Sequence, residues 1–127
     1  MATRAPPLGV LLISDGHERA HYALVLATAA AALGREAVLF ATNAGCRLFL
    51  DPTPLLAEPR EAALEARGVA GIATLLQAAS ELGLRRIVCE AGLRAEGLAG
   101  RPLAPGVEVA GVVTFLSAVG DGQMVSV

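Results

Sequence analysis

The feature that most constrains this chain is its alternation of short, continuously apolar runs with longer segments of helical spacing. Leu8–Ser14 (LGVLLIS) lacks the inside–outside alternation of a half-exposed strand and reads as a strand buried on both faces, Arg35–Thr42 (REAVLFAT) as a second buried strand and Leu84–Cys89 (LRRIVC) as a third strand. Between the first two, His17–Leu33 is an alanine-rich helix, and Gly34 stands where a C-terminal cap belongs. Gly68–Leu82 is the helix before the third run, with Ile72, Leu75, Leu76 and Ala79 on one face and Gly83 as its stop. Farther along, Ala91–Leu98 and Val112–Val119 read as helices, and Val107–Ala110 and Gln123–Val127 as short strands. This order predicts an α/β protein, a three-layer α/β/α arrangement with a mainly parallel sheet of about five strands. The 127 residues show no repeat and no low-complexity tract, so the chain is read as a single domain over 1–127.

One stretch breaks the rhythm. From Asn43 to Gly68, Asp51, Pro52, Pro54 and Pro59 forbid a continuous helix, leaving room for an apolar turn at Leu48–Leu50 and a small helix at Glu61–Ala66. A loop region this long inside a small domain is usually functional or at an interface. The first helix is apolar almost all the way round, which predicts a sheet on one side of it and another subunit on the other. At 54% hydrophobic, the chain carries more apolar surface than so small a domain can hide, and a homo-oligomer is expected.

Charge and composition exclude several functions. Ten basic against twelve acidic side chains give a net charge of -2, without the basic excess that nucleic acid binding requires. Every basic residue is arginine, so Schiff-base chemistry, pyridoxal phosphate catalysis and a P-loop lysine are ruled out. The aromatic residues are Tyr22, Phe40, Phe49 and Phe115 alone, too few for base stacking or a quaternary-ammonium cage. Cys46 and Cys89 do not make a disulfide scaffold. The apolar runs are too short for a membrane span or a secretory segment, and a cytoplasmic protein without membrane partners is expected. No cofactor motif is present: the glycines at 92, 97 and 100 have the wrong spacing for a dinucleotide fingerprint, and Ser14 lacks the context of a hydrolase elbow.

In parallel sheets ligands bind beyond the carboxyl ends of the strands. Those ends deliver Ser14, Asp15 and His17 from the first strand, Asn43 and Cys46 from the second, Cys89 and Glu90 from the third, and Gly111 from the fourth. Cys89 is the leading catalytic candidate because it closes a strand and opens a helix, where unpaired backbone N–H groups and the helix dipole favour a nucleophilic thiolate. Glu90 opposes that effect with like charge. The competing reading is a buried structural cysteine. Cys46 is either a resolving partner for Cys89 or a space-filler beneath the proline-rich loop. His17-Glu18-Arg19-Ala20-His21 matches H-E-x-x-H, yet these are the only two histidines and the motif opens the helix with almost no chain before it. No metal site is assigned to it. His17 remains a candidate proton donor or acceptor beside a thiol.

Several patches in sequence order resemble the DsrE/DsrF-like family of small sulfur-relay proteins. Leu33-Gly34 followed by Arg35-Glu36-Ala37-Val38-Leu39-Phe40 is similar to that family's first helix end and second strand. The block from Gly68 through Leu82-Gly83-Leu84-Arg85-Arg86-Ile87-Val88-Cys89 is similar to its helix and cysteine-bearing strand. Cys89, Leu93, Gly97 and Leu98 keep the spacing C-x3-[M/L]-x3-G-[L/I], and Val107–Leu116 resembles the strand, glycine and helix that follow. The resemblance implies a three-layer domain assembling into trimers or hexamers. It also implies a persulfide carried on Cys89 and passed to an acceptor thiol, with sulfur donor and acceptor proteins as partners. His17 and Asn43 then line the pocket, and Cys46 resolves the persulfide as a disulfide. Leu93 replaces a frequent methionine, and Thr42-Asn43-Ala44-Gly45-Cys46 stands where some relatives have an aromatic-rich turn. The alternative is a non-catalytic oligomeric subunit of the same fold that binds a small ligand or acts as a scaffold.

Overall fold

A computed structural model describes residues 5–127. The chain runs β1 (Leu8–Leu12), α1 (His17–Ala32), β2 (Ala37–Ala41), two 3-10 turns (Asn43–Phe49 and Pro54–Ala57), α2 (Pro59–Ala66) and α3 (Ile72–Glu81). It continues through β3 (Arg85–Cys89), α4 (Glu90–Ala95), β4 (Glu108–Ala110) and α5 (Val112–Val119) to β5 (Gln123–Ser126). The strands form one sheet in the order β4-β3-β2-β1-β5, and every pairing is parallel. Parallel neighbours need crossover connections, which is why a helix or helical turn follows each of the first four strands.

The strand register sorts the core into two faces, because successive side chains point to opposite sides. Leu8, Val10 and Leu12 of β1, Leu39 and Ala41 of β2, and Val88 of β3 belong to the larger core, with Ala20, Ala23, Leu24 and Ala27 of α1. Val38, Phe40, Ile87 and Cys89 point the other way and meet Phe115 and Val119 of α5. Phe40 and Phe115 stack with ring centroids 4.8 Å apart and 9° between planes, worth ~1 kcal/mol beyond the area they bury. Gly9 of β1 lies directly under α5, where any Cβ would meet Val119 and Phe115. The helix approaches the sheet that closely because position 9 has no side chain.

Helix α1 packs on β1 and β2 and also against α3 of the same chain, and Tyr22 on it is 53% exposed. Its last turn ends as expected, with Gly34 at φ 79°, and α3 ends the same way with Gly83 at φ 67°. The helix expected from Gly68 begins only at Ile72, because Gly68 takes φ 74° to turn the chain out of α2. The proline-rich stretch is largely ordered into two 3-10 turns and α2. Leu48, Phe49 and Leu55 anchor it in the larger core, and Asp51 N–H to Pro102 O (3.0 Å) and Ala104 N–H to Phe49 O (2.9 Å) tie it to the segment before β4.

Candidate functional site

β3 ends at Cys89, which caps α4 in extended backbone (φ -71°, ψ 121°), and its Sγ accepts the Gly92 N–H at 3.4 Å. Cap residues normally present an oxygen to these orphan N–H groups, and here a sulfur does so. The Gly92 N–H is thus directed at the thiol sulfur. The thiol is 8% exposed and sits beside Phe40, Ile87 and Phe115 on the α5 side of the sheet.

Cys46 approaches the same helix from the other side. It lies in the 3-10 turn after β2, is 0% exposed, and donates to Ala41 O (3.7 Å) and to Cys89 O (4.0 Å). Burial, and then the proximity of Cys89, push its thiol up to about 11, so it is protonated near neutrality. Gly92 makes the approach possible: a Cβ there would fall 2.7 Å from Asn43 N, 2.9 Å from Thr42 Oγ1 and 3.1 Å from Cys46 Sγ. Both sulfurs therefore pack against Gly92. Arg47 closes the same seam at the far end of α4 through a 2.6 Å ion pair with Glu96.

The other strand-end residues are placed as follows. Asn43 starts the turn with φ 50°, an uncommon backbone for a non-glycine residue and one that asparagine tolerates, and it is exposed. Glu90 is exposed and turned toward Arg94 (3.6 Å), which offsets the like charge it places beside Cys89. Gly111 caps α5, and a Cβ there would meet no atom within 4 Å. Ser14 Oγ accepts the Gly16 N–H at 3.1 Å in the turn that opens α1.

The histidines form a separate constellation. His17 Nε2 donates to Glu61 Oε1 at 2.7 Å, and Glu61 also accepts the Ile72 N–H (2.9 Å) and the Ala73 N–H (3.1 Å) at the start of α3. His21 Nε2 donates to Ala70 O at 2.8 Å, and the two imidazoles stack 5.9 Å apart. Both Nε2 atoms of the H-E-x-x-H pattern are thus engaged by protein groups. Among the described residues no hydrogen bond or ion pair joins this cluster to either cysteine, and none assembles three metal-ligating side chains at one point. Burial works to raise the Glu61 carboxyl, while the bonds from His17, Ala73 and Ile72 overcome that and hold it below its ordinary 4.5. Sequence reasoning missed Glu61, since a cap supplied from another helix leaves no local motif.

A cavity of about 490 Å³ lies at the opposite, amino edge of the sheet, lined among others by Pro7, Gly34, Arg35, Leu84, Arg85 and Ala118. No strand-end candidate contributes to it. Among the described residues no helix is long and apolar enough to cross a membrane.

The architecture defines a class: a five-stranded parallel α/β/α domain with a cysteine at the junction of its third strand and the following helix. Residues 9–125 match the sequence model of the DsrE/DsrF-like family, and the chain belongs to that family. Two solved structures share the fold. The YchN protein from E. coli superposes with a TM-score of 0.73 at 17% identity, covering 97% of this chain and 99% of its own. The protein of unknown function MTH1491 from Methanobacterium thermoautotrophicum gives a TM-score of 0.64 at 17% identity, covering 96% and 99%. No functionally curated protein matches the chain significantly.

Proposed function

We propose that the protein is a small cytoplasmic sulfur carrier that holds sulfane sulfur on Cys89 as a persulfide and passes it to an acceptor thiol. The observation that carries this reading is the placement of Cys89, with its sulfur at a strand-to-helix junction under the Gly92 N–H. Family membership supports a role related to sulfur relay. The Cys89 sulfur attacks the sulfane sulfur of a donor, the donor's own sulfur leaves, and an acceptor thiol later attacks the terminal sulfur of the persulfide. The working form in this reading is a homo-oligomer, trimer or hexamer, and donor and acceptor proteins are its partners. Support for assembly comes from Val112, Val113 and Leu116 of α5 with Ile13 and Met124, all at least 44% exposed.

Intact-protein mass spectrometry after incubation with a sulfane donor tests the proposal on wild type, Cys89→Ser and Cys46→Ser. One added sulfur atom, removed by reductant and absent only in Cys89→Ser, is the expected result. A Cys89→Ser protein that still accepts sulfur sinks the assignment. The burial of Cys89 beside Phe115 favours a second reading, a non-catalytic binding or scaffolding subunit in which this thiol is a packed residue. A carrier thiol alkylates rapidly in the native protein, and a packed one only on unfolding.

A further inference from the structure

We infer that Cys46 and Cys89 form a redox modification site, closing as an intramolecular disulfide when the protein meets a hydroperoxide. The inference takes its consequence, loss of the sulfur-bearing thiol, from the carrier reading; its chemistry stands without it. The chain has two cysteines, far apart in sequence, and the fold brings both sulfurs onto one glycine: Cys89 Sγ at 3.4 Å from Gly92 N, and Cys46 Sγ at 3.1 Å from where its Cβ would stand. Cys46 Sγ also reaches the carbonyl of Cys89 at 4.0 Å. Both cysteines are buried, and Cys89 at 8% residue exposure is the more accessible of the two, Cys46 lying at 0%. This is the arrangement of an oxidisable cysteine backed by a resolving one. The missing side chain at Gly92 leaves no group larger than hydrogen at that point of contact.

In the first step Cys89 Sγ attacks a peroxide oxygen. The S–O bond forms, the O–O bond breaks, the alcohol or water leaves, and Cys89 becomes a sulfenic acid. Cys46 Sγ then attacks Cys89 Sγ. The S–S bond forms, the S–O bond breaks, and the leaving hydroxide takes the Cys46 proton as water. Two thiols lose two electrons in total and the hydroperoxide gains them. Cys89, the more accessible of the two residues, meets the peroxide first, and Cys46 closes the bond.

The test exposes reduced full-length protein to hydrogen peroxide, blocks free thiols under denaturing conditions, and maps unreduced peptides. The expected outcome is a peptide joining Cys46 to Cys89, with both alkylation sites lost together and both restored by reductant. Cys46→Ala protein gives a sulfinic Cys89 under the same exposure. Wild-type protein that gives sulfinic Cys89 with Cys46 still free overturns the inference, as does a Cys89–Cys89 link between chains. Should Cys46→Ala fail to fold, the wild-type map decides alone. Sulfane loading of the same samples separates the two readings, with oxidised protein expected to load about tenfold less than reduced. A disulfide in protein that never loads sulfur sinks the carrier and leaves the redox site, and loading without a disulfide does the reverse.

Discussion

The two faces of this sheet are covered very differently. The face built on Val10, Leu12, Leu39 and Val88 lies under α1, which packs against α3, and Glu61 links α1, α2 and α3 through hydrogen bonds. Among the described residues, the face built on Val38, Phe40 and Ile87 packs against α5, whose residues Val112, Val113 and Leu116 are at least half exposed. Cys89 belongs to the thinly covered face and Cys46 to the thick one. The thick face is a finished core. The thin face carries the one strand-end thiol with any exposure, and its cover is a single eight-residue helix. The two cysteines thus belong to core clusters on opposite faces of the sheet.

The largest expected effect tests how far the thin face depends on one side chain. Phe115→Ala removes the ring stacked on Phe40 and should cost about 4 kcal/mol in urea unfolding while accelerating alkylation of Cys89. A loss below about 1 kcal/mol would mean that α5 contributes little to holding that face. Next, Glu61→Ala strands the Ile72 and Ala73 N–H groups and His17 Nε2 on the thick face, at about 3 kcal/mol, with Cys89 alkylation unchanged. If alkylation of Cys89 rises as much as in Phe115→Ala, the two faces are coupled and the contrast fails.

The same carboxylate sets a pH signature. Its folded-state carboxyl lies below the ordinary 4.5, so its contribution is full above that value and is lost as pH falls through and below it. The stability gap between wild type and Glu61→Gln should therefore narrow in acid, measured as urea midpoints from neutrality to well below pH 4.5. A constant gap would show that ionisation of Glu61 contributes nothing. Smallest in stability is Val113→Ser with Leu116→Ser on the outer side of α5, within about 0.5 kcal/mol each because both are already solvated. Their effect should appear in sedimentation, as a shift toward monomer. An unchanged sedimentation profile would remove α5 from the proposed assembly surface.

Much of this architecture could be read along the chain. Apolar runs from Leu8 and Ala37 and the shorter Ile87–Cys89 mark the parallel strands, and the positive-φ glycines 34 and 83 stop the helices before β2 and β3. Cys89 was legible as a strand-to-helix residue because the apolar run ends there and a helix begins. The 43–68 stretch was less legible, since 3-10 turns lack a hydrophobic period and its anchors Leu48, Phe49 and Leu55 point into a core assembled from distant strands. The side-chain partners of His17 and His21 were not legible: α1 carries them to hydrogen bonds with Glu61 and Ala70, both from distant parts of the chain.

By itself, the sequence determined the strand–helix alternation, the parallel class of sheet and the cysteine at the end of β3, because these follow from local propensity and hydrophobic period. Only the tertiary structure decided that α3 packs against α1, that Glu61 caps a helix from outside it, and that Cys46 and Cys89 share Gly92. Those are contacts between residues distant along the chain, and they exist only once the crossovers have brought the elements together.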